Sequence, residues 1–227
     1  MTRGYRPVMR AALVVLLAAL ALAAAGAAAA RDPRAPQQRH TAADTRLARS
    51  VGLRRADLAA GWKAAPATKD PPPCSTEPDE SKLVQTARVD PTFVWSDGVT
   101  TVGSEVDVFR SAGEARRDWR LSTLALMRRC LLETVQKAIG KGGKVRVTQA
   151  KALAKPGLGA RSLHYRLVFA LGGNAAHALV TDLIAFNRGR TSIVLHTLSV
   201  GAALPASALG TLGRVLSRRL SDASGGI

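Results

Sequence analysis

Aromatic residues are scarce: Phe, Trp and Tyr make up 4% of the chain. Proteins that hold single-stranded nucleic acid interleave rings with basic side chains, so that bases stack between charges. No such interleaving is present, and specific nucleic-acid binding is not expected. Acidic residues are few as well, 16 against 33 Lys and Arg, for a net charge of +17. Cysteine occurs twice, at Cys74 and Cys130, and no pair of cysteines or histidines has zinc spacing. The chain has no Gly-x-Ser-x-Gly elbow and no His-Glu-x-x-His helix. No catalytic residue, metal site or cofactor is therefore expected. Both asparagines, Asn174 and Asn187, lack the Ser or Thr that a glycosylation sequon needs.

The first thirty residues carry the clearest pattern that is present. Arg3, Arg6 and Arg10 make a positive start, Leu13 to Leu22 an uncharged apolar core, and Ala28, Ala29 and Ala30 a small-residue site before Arg31. That order reads as a secretory signal peptide over residues 1–30, cleaved between Ala30 and Arg31. The rival reading is an uncleaved anchor, since Ala11 to Ala30 is twenty residues long. Alanine inserts weakly, and the strongly apolar part is about ten residues against the ~20 of a spanning helix. A secreted or extracytoplasmic location is expected, membrane-anchored if the signal stays. Losing the leader removes three of the 33 basic residues and none of the 16 acidic ones, leaving +14. Such a surplus favours anionic polymers or acidic lipid surfaces as partners. The plainer reading is that it keeps the protein soluble. In an exported chain, two cysteines point to one disulfide, Cys74 to Cys130. A free reactive thiol is the alternative.

Behind the leader, residues 31–43 read as a flexible linker rich in Pro, Gln and Arg. One α+β domain is expected over 44–221, with a tail at 222–227. Asp44 to Val51 reads as a short helix, and Gly61 ends a turn before Trp62. Strands are expected at Leu83 to Val89, Phe93 to Trp95 and Val99 to Phe109, the last alternating cleanly. Ser111 to Gly140 reads as one long amphipathic helix, opened by a Ser111–Glu114 capping box and carrying Cys130 on its apolar face. Gly140 to Lys144 is a basic glycine turn, without the spacing of a phosphate loop. Four strands follow, at Val145 to Leu153, Arg161 to Leu171, His177 to Phe186 and Thr191 to Val200. Pro205 then opens a closing helix with a leucine stripe. The order predicts an antiparallel sheet of about six strands against a long central helix and a C-terminal helix.

Several short stretches carry a family resemblance: Asp57 to Trp62, Cys74 in its proline-rich loop, Ser104 to Phe109, Ser111 to Trp119, Cys130, and the Leu158-Gly159 turn. Together they resemble small actinobacterial exported proteins of the LpqN lipoprotein type and the extracytoplasmic sensor domains of some membrane serine/threonine kinases. The resemblance spans roughly residues 50 to 221 and implies a PsbP-like α/β/α sandwich. It carries over no catalytic residue. The chain differs in having no lipid-attachment cysteine beside its leader.

The expected function is a non-catalytic cell-envelope domain that binds an unidentified ligand or protein partner, in a groove between the sheet and the long helix. Two alternatives stand beside it. One is a secreted hydrolase using a strand histidine, His164, His177 or His196, with Asp182 or a serine. The other is electrostatic attachment to anionic envelope polymers. Glu105 and Asp107 share a strand face about 7 Å apart and have the spacing to pair as acid and base, but an exposed sheet face is the favoured explanation.

Overall fold

A computed structural model describes residues 32–66, 74–75, 78–121, 124–139, 145–171 and 174–224. The expected leader, its expected cleavage point at Ala30 and Arg31, and the basic glycine turn at Gly140 to Lys144 lie outside the described residues.

In chain order the elements are β1 (Gln37–Gln38), α1 (Ala42–Val51), β2 (Lys63–Ala64), β3 (Val84–Val89), β4 (Thr92–Val94) and β5 (Thr101–Phe109). Then come α2 (Ala112–Leu121), α3 (Leu124–Ile139), β6 (Val145–Ala152), β7 (Arg161–Leu171), β8 (Asn174–Arg188), β9 (Thr191–Val200) and α4 (Ala206–Ser224). The fold is α+β. One sheet runs β1-β3-β5-β9-β8-β7-β6, with β4 also on β5 and β2 on β4.

The sheet has nine strands among the described residues, not about six, and it is mixed, because β1 runs parallel to β3. The added strands β1 and β2 are two residues each, too short to show any periodicity. Within the stretch read as a linker, Gln37 pairs with Val84 and Gln38 with Gln85 of β3. The expected long helix is described over Ala112–Leu121 and Leu124–Ile139, and residues 122 and 123 between them lie outside the described residues. Its capping box forms by half: the Glu114 N–H donates to Ser111 Oγ at 3.2 Å, while the Glu114 carboxylate pairs with Arg110.

Side-chain alternation gives the sheet two unlike faces. On one, Val102, Val106, Ile184, Phe186, Ile193 and Leu195 are each at most 2% exposed. They join Ala48 and Val51 of α1 and Leu209, Leu212, Leu216 and Leu220 of α4 in one core. The leucine stripe of the closing helix thus does what its spacing implies. Thr41 caps α1 by accepting the Asp44 N–H at 3.1 Å. Asp44 then accepts from Arg190 in the β8–β9 turn at 2.9 Å, and that bond holds its pKa down at about 2. The ion pair pins α1 to the far end of the hairpin.

On the other face, Leu167, Phe169 and Leu179 form a smaller core, with Leu131, Leu132 and Val135 of α3 packed over it. The bridge from Cys74 to Cys130 is present, with a Cα–Cα distance of 5.2 Å. Beside it the Ser75 N–H and hydroxyl donate to Glu133 Oε2 at 3.0 and 2.9 Å. The proline-rich loop is thus fastened to α3 covalently and by hydrogen bonds. At the opposite end, Trp62 meets Trp95 edge-on with ring centres 5.4 Å apart, where β2 pairs with β4.

Candidate functional site

The α2/α3 side of the sheet is the less completely covered one. Tyr165, Leu183 and His196 lie side by side across β7, β8 and β9, and Gly103 of β5 continues the row. Val194 and Leu198 flank His196 on the same face of β9. All five side chains are half-buried, whereas their neighbours on the reverse face of β8 and β9 are closed. The result is a half-buried, largely apolar strip on the face of the sheet that also carries α2 and α3.

Gly103 is required by close approach. A Cβ there would lie 2.5 Å from His196 Nε2 and 2.7 Å from Thr92 Oγ1, so the imidazole lies over the bare glycine. Burial pushes the His196 pKa below the ordinary histidine value, against the opposing pull of Glu105 and Asp90. The ring is therefore neutral at pH 7. Gly103→Ala is expected to cost about 1–3 kcal/mol through overpacking, and adding His196→Ala should recover part of the loss. Chemical denaturation of the two variants measures both effects.

Beyond His196 the strip turns acidic. Glu105 and Asp107 do share a face of β5, and Asp118 of α2 reaches the same place, where the Ser192 hydroxyl donates to it at 3.4 Å. Gln85 Nε2 donates to Asp107 at 2.7 Å, and Arg88 Nη2 donates to Glu105 at 2.9 Å. Burial raises the Asp107 pKa, and the charge of Glu105 and a carboxyl–carboxyl hydrogen bond raise it further against Arg88. Asp118 is pushed up to about 6, by burial first and the Glu105 charge second. Among the described residues, Arg88 is the basic side chain hydrogen-bonded to this group of carboxyls.

The raised Asp118 pKa has a definite sign for stability. The folded state holds this proton more tightly than the unfolded chain, so the contribution is complete below about pH 4 and is lost as pH rises to about 6. Asp118→Asn should remove that decline and leave the variant more stable than the parent at pH 7, by roughly 1–3 kcal/mol. Melting curves between pH 4 and pH 7 test it: parallel curves for the two proteins would contradict the assignment.

The histidines do not converge. His164 lies on the α1/α4 side of the sheet and His196 on the α2/α3 side; the His177 side chain lies outside those described. His164 Nε2 does meet Asp182 Oδ1 at 2.8 Å, but Asp182 also accepts two bonds from Arg166, at 2.9 and 3.0 Å. Among the described residues no serine or threonine hydroxyl bonds to His164, and no group of three or more His, Cys, Asp or Glu is placed to hold a metal ion. A shallow groove of about 430 Å³ lies at the sheet edge beside Arg49, Leu53, Arg88 and Pro91. No described helix is long and apolar enough to cross a membrane.

Sequence alternation marked Glu105 and Asp107 as neighbours. It had no means of finding Asp118, Ser192 or Arg88 beside them, because strand order is not written in period. No protein-family model matches this chain, and no curated protein matches it either.

Proposed function

We propose that this is a non-catalytic, exported cell-envelope domain that binds a ligand or protein partner between the sheet and the α2/α3 layer. The observation that carries the reading is the contrast between the two sides of the same strands. On β8 and β9 one side is closed, and the other leaves Leu183, Val194, His196 and Leu198 half-buried, with Tyr165 of β7 beside them. Fully burying one large apolar side chain contributes about 1.5–3 kcal/mol, so a partner that covers this strip gains what α2 and α3 leave unused. We read the architecture as the PsbP-like α/β/α sandwich that the family resemblance implies, since α1 and α4 pack on one side and α3 on the other. Export rests on the order of the leader and on the disulfide, a bond that persists in oxidising compartments.

The test is a thermal-shift and pull-down screen with envelope lipids, glycans and proteins. At least one should raise the melting temperature, and Leu183→Glu or Leu198→Glu, in variants that still melt cooperatively, should abolish the shift. A screen with no stabilising or retained partner would overturn the proposal. N-terminal sequencing of the exported protein should begin at Arg31.

A hydrolase built on His164 is the second reading, favoured by the His164–Asp182 contact. It requires ester or amide turnover that disappears in His164→Ala; the Arg166 bonds to the same carboxylate speak for an architectural role instead.

A further inference from the structure

Many of the domain's acidic side chains are taken up by internal partners. Asp44 pairs with Arg190, Asp57 with Arg219, Glu105 with Arg88 and Asp182 with Arg166. Much of what remains outside is positive. Arg46 and Arg49 on α1, Arg54 and Arg55 just after it, and Arg214 and Arg218 on α4 are exposed. α1 turns Asp44, Ala48 and Val51 inward, and α4 turns Leu209, Leu212, Leu216 and Leu220 inward. At 100° per residue, Arg46, Arg49, Arg214 and Arg218 fall on the opposite arcs, facing away from the sheet. Asp222 is the one exposed acid among the described residues of these two helices.

The other helix layer is also rich in exposed arginine. Arg116, Arg117 and Arg120 of α2 and Arg128 and Arg129 of α3 are exposed. Glu114 and Glu133 are paired with Arg110 and Lys137, and Asp118 is turned to Ser192 on the sheet. Two helix layers and a sheet separate the outer faces by roughly 30 Å, given helices about 10 Å thick. That exceeds the Debye length of about 8 Å at physiological salt, so the faces attract counter-charge independently.

We propose that the two helix layers are separate docking faces for acidic phospholipid surfaces, so that one molecule bridges two of them. Charge complementarity carries the proposal, and the shape directs it: broad faces on opposite sides suit planar surfaces, whereas a linear polyanion is followed by a continuous groove. The proposal does not depend on the cleft reading, because Arg46, Arg49, Arg214 and Arg218 lie opposite the buried residues of their helices, and Arg116, Arg117 and Arg120 lie away from the arc of Ala115 and Asp118 that meets the sheet. Each arginine at an acidic lipid surface strengthens attachment by about fivefold.

The experiment mixes the full chain with vesicles of phosphatidylglycerol and phosphatidylcholine, or of phosphatidylcholine alone, and follows cosedimentation and turbidity. Binding and clustering are expected with the acidic vesicles only, both reversed by high salt. Two triple variants separate the faces: Arg46→Glu, Arg49→Glu and Arg214→Glu on one, and Arg116→Glu, Arg117→Glu and Arg120→Glu on the other. Each should still cosediment, at about half the capacity, yet no longer cluster vesicles; combining them should weaken binding by more than a hundredfold. Circular dichroism checks folding, and Arg→Gln versions replace any variant that does not fold. Clustering that survives in a single-face variant, binding that persists in high salt through the leader, or capture of soluble polyphosphate without vesicle binding would each overturn the proposal.

Discussion

Cys130→Ala should lower the melting temperature of the oxidised protein by about 10 °C, the largest single effect expected in this chain. The bridge joins residues separated by 56 positions. Closing so long a loop in the unfolded chain is worth roughly 4 kcal/mol on the chain-entropy model. Double substitution of Cys74 and Cys130 by Ala should match the single variant, and reduction of the parent by dithiothreitol should reproduce both. Some docking survives the loss, because Ser75 still donates to Glu133. The Glu133 carboxyl is held at about 2, first by Lys137 and then by Ser75, so its contribution is present above the ordinary glutamate range and is lost as pH falls towards 2. The reduced protein should therefore be the more acid-labile form. A melting temperature indifferent to both mutation and reductant would show that the loop is held by its non-covalent contacts.

Arg166→Ala should cost about 3 kcal/mol at pH 7, as expected for removing one partner of a buried pair. Asp182 is 1% exposed, and Thr197 Oγ1 accepts its backbone N–H at 3.3 Å, so its carboxylate has little access to water. Burial opposes its charge, but the bonds from His164 and Arg166 outweigh burial and hold its pKa below the ordinary aspartate value. The lower end of the range applies because the Arg166 side chain is 25% exposed. A carboxyl with a lowered folded pKa contributes above its unfolded value near 4 and loses that contribution as pH falls. The gap between parent and variant should thus be full at pH 7 and narrow below pH 4. Urea titrations at pH 7 and pH 3 measure it. An equal gap at both would mean that Arg166 stabilises through its packing. His164→Ala should cost less, because Arg166 would still meet both carboxyl oxygens.

The elements themselves were largely legible. Strands β7 and β9 run over the residues that alternation marks, and α4 buries the leucines its stripe contains. Long elements announce themselves because many residues repeat one period. Gln37 and Gln38 show no period at all, so nothing in the sequence marks them as a strand. The parallel pairing of β1 is a consequence of where Val84 and α1 lie, which is tertiary information.

By itself the sequence determined the α+β class, the order of the longer elements and the pair of cysteines available for bridging. It also determined the surplus of positive charge, which is a matter of composition. Strand order was decided by the folded structure alone. Placing β5 beside β9 brings Glu105 and Asp107 against Ser192 and, through α2, Asp118. The same placement puts Gly103 under His196 and separates His164 from His196 by the thickness of the sheet. Period says which way a side chain points along its own strand; only the packed sheet says what it then meets, because those contacts join residues scores of positions apart.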